Sequence, residues 1–292
     1  MYPPVVDVTK SWLAINPIIG CNLGCRYCFR VQWSIGENPI RIYTPQESVE
    51  ALLKHPCFEM GRTPIAINIC GTDPFLPESK DTTFECLQLL DSRGISNIVG
   101  LTTKFGLLER DIQLLESYRN IKVVIVVSYA ALPERIEPFP AKRRLDTLRL
   151  LSASHIPSIL YFRPIVEGWN DDEGTMQRVL SAGQEYSHAI AIGGLRLSAR
   201  IRKVLEAADV TVPYSSTRFN YKVMPRRLLE KVRRSYLECG ITKPLFIRTR
   251  CAVGYVSKSH YKISGIHSID CSKDCSTSEI RMCYGCNGGK LL

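Results

Sequence analysis

The chain has 292 residues, 45% of them hydrophobic, a formal charge of +10 and 12 cysteines. That is enough for one barrel-like α/β domain with an appendage, or for two ordinary domains, and it excludes a small disulfide-stapled scaffold. The N-terminal "MYPPVVDVTKSW" has no basic stretch leading into a long apolar run, and no later segment is apolar over the length of a bilayer, so the expectation is a cytoplasmic protein without a membrane partner.

In chain order, "WLAINPII", "PIAINIC", "NIVGLTT", "KVVIVVS", "SILYFRP" and "AIAIGGLRL" are short runs rich in Ile and Val, suited to buried parallel strands. Between them "ESVEALLKH", "DTTFECLQLLDSRG", "LLERDIQLLESYRN", "AKRRLDTLRLLSASH" and "DEGTMQRVLSAGQEY" carry helix-period apolar faces, several with acidic or hydroxyl starts. Alternating strands and helices predict an α/β fold, a (β/α)6 partial TIM barrel over residues 1–202, with its active site where strands end and loops begin. From residue 203 to 292 the alternation weakens. A basic helix, "PRRLLEKVRRSYLECG", leads to a strand at "KPLFIR" and then to a loop-rich, cysteine-rich cap.

Lys and Arg concentrate between Arg196 and Arg234. Their helical spacing fits a solvated face as well as a phosphate or nucleic-acid patch, while the overall charge favours a phosphorylated, nucleotide-like small molecule or a polyanion. The chemistry is concentrated elsewhere, at "GCNLGCRYCFR". Cys21, Cys25 and Cys28 form C-x3-C-x2-C on the loop after the first strand, and thiolates suit zinc and iron-sulfur clusters alike. A structural zinc wants a fourth ligand, and the next Cys or His is His55. Three thiols on one loop can instead hold three irons of a 4Fe-4S cluster and leave the fourth open.

With Tyr27 before its last cysteine, this motif resembles that of the radical S-adenosylmethionine (SAM) enzymes. The resemblance implies a 4Fe-4S cluster whose unique iron binds SAM. A reductant such as flavodoxin or ferredoxin supplies an electron, and SAM is cleaved to methionine and a 5'-deoxyadenosyl radical. Further loops are similar to the spore photoproduct lyase-like branch. "CGTDPFLPES" places Thr72 and Asp73 where many members carry Gly-Gly-Glu-Pro, "TTKFG" offers Lys104 to the SAM carboxylate, "VVIVVSYA" offers Ser128, and "YFRPIVEGWNDD" offers Arg163. Read alone, Asp73-Pro74 is a turn, Lys104 a surface charge and Asn170-Asp171 a helix cap. Cys70 lies close to where that branch places a hydrogen-donating cysteine, although a buried cysteine is also a common core residue.

The tail carries Cys251, Cys271, Cys275, Cys283 and Cys286. Their spacing suits a zinc ribbon, or a second, auxiliary 4Fe-4S cluster with Cys251 brought in from the preceding strand; either leaves one thiol spare. Spore photoproduct lyase has no such cluster, so its reaction is not carried over. The expected function is a radical SAM enzyme that abstracts hydrogen from a phosphorylated, nucleotide-like substrate, its auxiliary cluster donating sulfur in C–S bond formation or accepting an electron. The alternatives are a nucleic-acid repair or modification enzyme with a zinc-stabilised tail, a peptide-modifying radical SAM enzyme, and a non-enzymatic cluster or zinc protein.

Overall fold

A computed structural model describes residues 2–8, 12–215 and 222–258, with backbone only at 222, 286–287 and 290–291. In chain order the elements are β1 (Val5–Val8), β2 (Trp12–Ile15), β3 (Ile18–Ile19), a 3-10 turn (Phe29–Trp33), β4 (Ile40–Arg41), α1 (Pro45–Leu53), β5 (Ile65–Ile67), α2 (Pro77–Ser92), β6 (Ile98–Thr103) and α3 (Glu109–Ser117). They continue with β7 (Lys122–Ser128), α4 (Ala141–Ser152), β8 (Ser158–Ile165), α5 (Glu173–Tyr186), β9 (Ala189–Arg196), α6 (Ala199–Glu206), β10 (Lys222–Val223), α7 (Arg226–Glu238), β11 (Leu245–Phe246) and α8 (Thr249–Val256). Two short strands, β12 (Cys286–Asn287) and β13 (Lys290–Leu291), pair antiparallel with each other.

The main sheet runs β1-β2-β5-β6-β7-β8-β9-β10, and β11 also pairs with β9. From β2 to β9 every pairing is parallel, as is that of β11, while β1 and β10 are antiparallel edges. Among the described residues the two ends of the sheet do not pair, so this is an open, partial barrel.

The Val- and Ile-rich strands are buried on both faces, which is why they show no polar alternation. In β7, Val123, Ile125 and Val127 belong to the large core built with α1–α5 and α7, while Val124 and Val126 belong to a second cluster on the opposite face. That inner face is lined by small residues, Ala14, Ala66, Ala189 and Ala191, and is covered by Ala252 and Val253 of α8 together with Trp12 and Phe246. Each buried Val or Ile contributes about 1.5–3 kcal/mol relative to exposure. α8, β10 and β11 share this sheet and core, and position 202 falls within α6.

Helix starts follow the sequence. Thr44 and Glu47 form a reciprocal capping box ahead of α1 with Pro45 in its first turn, and Asp172 caps α5 by accepting from the Thr175 N–H at 2.8 Å. Strand ends depart from the predicted runs. "WLAINPII" divides into β2 and β3 because Asn16 turns inward, its Oδ1 accepting from the N–H groups of Cys70 and Gly71 at 3.0 Å each. "PIAINIC" stops at Ile67, since Asn68 adopts φ 57°, a left-handed conformation. Cys251, expected from a strand, lies in α8: the extended segment ends at Phe246, and Ala252 and Val253 pack as a helical face against the sheet.

Gly100 in β6 leaves room for the Trp12 ring, since a Cβ there would stand 2.7 Å from its Cζ3 and 2.9 Å from its Cη2. Gly100→Ala is therefore expected to destabilise the fold by about 1–3 kcal/mol through overpacking. Denaturant unfolding checks this, and an unchanged midpoint would contradict the packing of Trp12 on the inner face.

Candidate active site

The C-terminal ends of the parallel strands open onto a cavity of about 510 Å³, lined by Thr102 and Thr103 of β6, Ser128 of β7, Arg163 of β8 and Leu195 and Arg196 of β9. Cys21, Cys25 and Cys28 line the same cavity from the loop between β3 and the 3-10 turn. Backbone constraints hold this loop. Gly20 has φ 100°, and a Cβ there would meet the Asn38 carbonyl at 2.0 Å. The Cys21 N–H donates to the Gly36 carbonyl at 3.3 Å and the Arg26 N–H to the Ile136 carbonyl at 3.0 Å. Burial pushes the Cys21 and Cys25 thiols above the ordinary range, opposed chiefly by the Arg30 charge at Cys21 and the Lys104 charge at Cys25. Arg30 also donates to the Cys28 sulfur at 3.5 Å.

Behind the thiols lies a buried charge network. The Lys104 Nζ donates to the Tyr27 hydroxyl at 2.7 Å, to Ser128 Oγ at 3.0 Å and to Glu137 Oε2 at 2.7 Å. An ammonium has three N–H donors, so all are engaged. The Tyr27 hydroxyl in turn bonds Glu137 Oε2, and Arg144 donates to Glu137 Oε1 and, at 3.0 Å, to the Phe139 carbonyl. Glu137 and Arg144 are each only 1% exposed. Burial pushes Lys104 down to about 8, opposed by Cys25 and assisted by Arg144.

Asp73 joins two βα loops. Its carboxylate accepts from Thr103 Oγ1 at 2.8 Å and from the N–H groups of Lys104 at 2.6 Å, Phe75 at 3.1 Å and Phe105 at 3.3 Å. Burial nevertheless pushes its pKa upward. Its neighbour Thr72 also lines the cavity, and the buried Thr72 hydroxyl oxygen has no hydrogen-bond partner among the described residues. An orphaned polar atom on a cavity wall is a place for a ligand.

Tyr27, Thr72, Asp73, Lys104, Ser128 and Arg163 thus share the cavity wall with the three thiols. Cys70 does not lie on that wall; it is 8% exposed, with its thiol hydrogen-bonded to the Tyr2 phenol and pushed up in pKa by burial. Cys251 is packed partly buried against the inner face of the sheet, and its neighbours Arg248, Thr249 and Arg250 reach the cavity. Cys271, Cys275 and Cys283 lie outside the described residues, as does the side chain of Cys286. Asn170 clamps a loop, donating to the carbonyls of Ala130 at 2.8 Å and Pro164 at 2.9 Å. Sequence reasoning missed Glu137, Arg144, Arg30, Arg248 and Arg250. Arg30 stands two residues from Cys28 and was within reach of the motif, whereas nothing in "PERIEPFP" marks Glu137.

The sequence profile of the radical SAM superfamily matches residues 15–179, more than half of the chain. The protein belongs to the radical SAM superfamily. A curated relative, an uncharacterized protein of Methanocaldococcus jannaschii, is 27% identical over 168 residues, spanning 54% of this chain and 62% of the relative. The match therefore covers about three fifths of that relative's length. Among solved structures, a variant of spore photoproduct lyase superposes with a TM-score of 0.59 at 16% identity, covering 80% of this chain and 76% of the other. A second variant, solved with a dinucleoside spore photoproduct, gives 0.58 at 16% identity over 80% and 75%. These two likenesses are of fold.

Membership in the superfamily implies a 4Fe-4S cluster, SAM and a reductant. The wall fits them: three unbridged thiols on one loop supply soft ligands, and the unpartnered Thr72 oxygen faces the same space. Among the described residues no three Cys, His, Asp or Glu side chains converge as a single metal ion requires. A cubane, bound through three separate irons, needs thiols spread more widely than one ion does. Among the same residues no helix is long and apolar enough to cross a membrane.

Glu137 joins Lys104, Arg144 and Tyr27, so Glu137→Gln removes the buried charge that compensates two cations. It is expected to lower the unfolding free energy of the apoprotein by about 3–5 kcal/mol, measured by urea denaturation. A loss below about 1 kcal/mol, as for an exposed pair, would contradict the network.

Proposed function

We propose that this radical SAM enzyme abstracts hydrogen from a phosphorylated, nucleotide-like small molecule, with Cys21, Cys25 and Cys28 as ligands of its SAM-binding cluster. The observation that carries the reading is the sharing of one cavity by these thiols, the unpartnered Thr72 oxygen and the Lys104–Ser128 pair. Held by these residues, the cluster and SAM would supply one-electron reductive cleavage chemistry.

The residues of the chain bind, orient and exclude water. Thr72 Oγ1, unpartnered among the described residues, would give SAM a hydrogen-bond partner. Lys104 and Ser128, which bond each other at 3.0 Å, would hold a SAM carboxylate. Tyr27 keeps the thiol loop against Lys104, whose Nζ stands 5.3 Å from the centre of the Tyr27 ring. Asp73 fixes the β5 and β6 loops that carry Thr72 and Lys104. Cys70, off the cavity wall with its thiol bonded to Tyr2, fits a core role better than that of hydrogen donor to a substrate radical.

Residues 1–202 carry the thiol loop and the residues proposed to bind SAM, and 203–292, whose β11 and α8 pack into the same sheet and core, carry the candidate auxiliary site. Cys251, Cys271, Cys275, Cys283 and Cys286 are its candidate ligands, for a second 4Fe-4S cluster that donates sulfur or accepts an electron. A cytoplasmic setting with flavodoxin or ferredoxin as reductant completes the proposal. The charge of +10 also favours a second reading, in which the substrate is a nucleic acid.

Anaerobic reconstitution followed by reduction with SAM is expected to release 5'-deoxyadenosine. The triple variant Cys21→Ala/Cys25→Ala/Cys28→Ala should lose that product and about four irons. Product formation by the triple variant would overturn the assignment. Replacing the five tail cysteines should lower total iron from about eight to about four per chain, with acid-labile sulfide falling in step. Four irons in both proteins would exclude a second cluster. Nucleic-acid binding, if it serves the function, should weaken by about a thousandfold or more between 50 and 200 mM salt; binding that is absent or insensitive to salt removes the second reading.

A further inference from the structure

We infer that Arg30 raises the reduction potential of the SAM-binding cluster by holding a buried guanidinium against the sulfur of its Cys28 ligand. The inference rests on the assignment of Cys21, Cys25 and Cys28 as ligands and deepens it. Arg30 Nη1 donates to Cys28 Sγ at 3.5 Å, and the side chain lines the cavity together with all three thiols. Arg30 acts through a ligand and not on a substrate, so it is a positioning residue.

The 3-10 turn fixes the guanidinium. It begins directly after Cys28, whose N–H donates to the Cys25 carbonyl at 3.1 Å and whose carbonyl accepts from the Val31 N–H at 3.2 Å. Ser34 then adopts φ 54°, and the chain turns back so that the Ile35 N–H donates to the Arg30 carbonyl at 3.4 Å. Arg200 of α6 clamps the turn from outside, donating to the Gln32 carbonyl at 3.0 Å and to Ser34 Oγ at 2.9 Å. The Arg30 guanidinium lies 5.6 Å from the centre of the Phe29 ring, and that ring meets Trp33 edge-on with centroids 5.5 Å apart. The backbone that presents the third thiol therefore presents the arginine as well.

Its charge is left for the sulfurs. The other two cations behind the loop, Lys104 and Arg144, are both paired with Glu137. Among the described residues no carboxylate pairs with Arg30, and the Cys28 sulfur is the one hydrogen-bond acceptor of its side chain. Arg30 Nε is buried with no hydrogen-bond partner among those residues. A guanidinium has five N–H donors, and a buried one so little engaged marks an acceptor that the chain itself does not provide. Three thiolates give a 4Fe-4S core a net negative charge before reduction, and the single electron from the reductant adds another, while Arg30 keeps its proton throughout. A buried cation and an N–H···S bond both favour the more negative state. Arg30 therefore raises the potential and eases delivery of that electron.

The test is an anaerobic redox titration of the reconstituted full-length protein, following the EPR signal that changes when SAM is added, which singles out the cluster with an open iron. Arg30→Leu removes both charge and donor. It is expected to keep the wild-type iron content but to be harder to reduce by at least about tenfold in the one-electron equilibrium, a downward shift of about 59 mV. Arg30→Lys, which keeps the charge without the fork, and Arg30→Gln, which keeps an N–H donor without the charge, should fall between the two. Arg41→Gln, an equal loss of charge on the exposed β4, should stay within about twofold of wild type. With dithionite as reductant, 5'-deoxyadenosine release by Arg30→Leu should fall, and titanium(III) citrate, a stronger reductant, should restore it, which a merely distorted loop would not allow. A potential within about twofold of wild type in Arg30→Leu at full iron content overturns the role of Arg30 alone. Should the leucine variant take up no iron, the same result in both Arg30→Lys and Arg30→Gln overturns it. Wild-type protein without a SAM-sensitive signal, or retention of that signal by Cys21→Ala/Cys25→Ala/Cys28→Ala, overturns the ligand assignment and this inference with it.

Discussion

The Lys104 ammonium is the point on which the cavity is organised. It joins the thiol loop through Tyr27, the end of β7 through Ser128 and the following loop through Glu137, while its own backbone N–H is held by Asp73 from the β5 loop. Four segments distant in sequence are fixed relative to one another by one residue. A buried ion pair is weak evidence for stability, because desolvation offsets most of its attraction. Its value here is positional: three donors with three acceptors define a geometry that apolar packing would leave loose.

That arrangement also sets the electrostatics of the thiols. Burial in the cavity raises the pKa values of Cys21 and Cys25, whereas ligation of iron requires thiolates. Lys104 and Arg30 oppose the burial. Glu137 then has a second task, since without it Lys104 and Arg144 would repel one another in the same buried volume. The opposing influences of Cys25 and Arg144 on Lys104 are the two sides of this balance.

The fold was legible in the sequence wherever hydrophobic pattern alone decides it. Six Ile- and Val-rich runs became the parallel strands, and capping residues such as Thr44 and Asp172 marked helix starts. What escaped was decided by side chains reaching across the fold. Asn16 ends a strand by bonding to a loop more than fifty residues away, and β10 and β11 are too short to announce themselves by periodicity. The site divides in the same way. Three cysteines within eight residues declare themselves, and a βα pattern draws attention to Lys104 and Ser128. Glu137 sits in a proline-flanked loop where an acidic residue reads as solvent-exposed, and only the approach of Lys104 and Arg144 makes it central.

α8 shows how little of this chain separates support from chemistry. The inner face of an open parallel sheet cannot remain bare, and here Ala14, Ala66, Ala189 and Ala191 leave a shallow bed into which Ala252 and Val253 fit. The same helix begins with Arg248 and Arg250 on the cavity wall. This eight-residue helix and its N-cap therefore cover the core and carry two arginines to the cavity wall. Cys251 follows Arg250 directly and is half-buried in the same packing, so any ligand it holds is tied through one peptide bond to the cavity wall. β11 and α8, beyond residue 202, consequently pack on the inner face of the sheet, and substitutions in α8 that loosen its packing are also felt at Arg248 and Arg250 on the cavity wall.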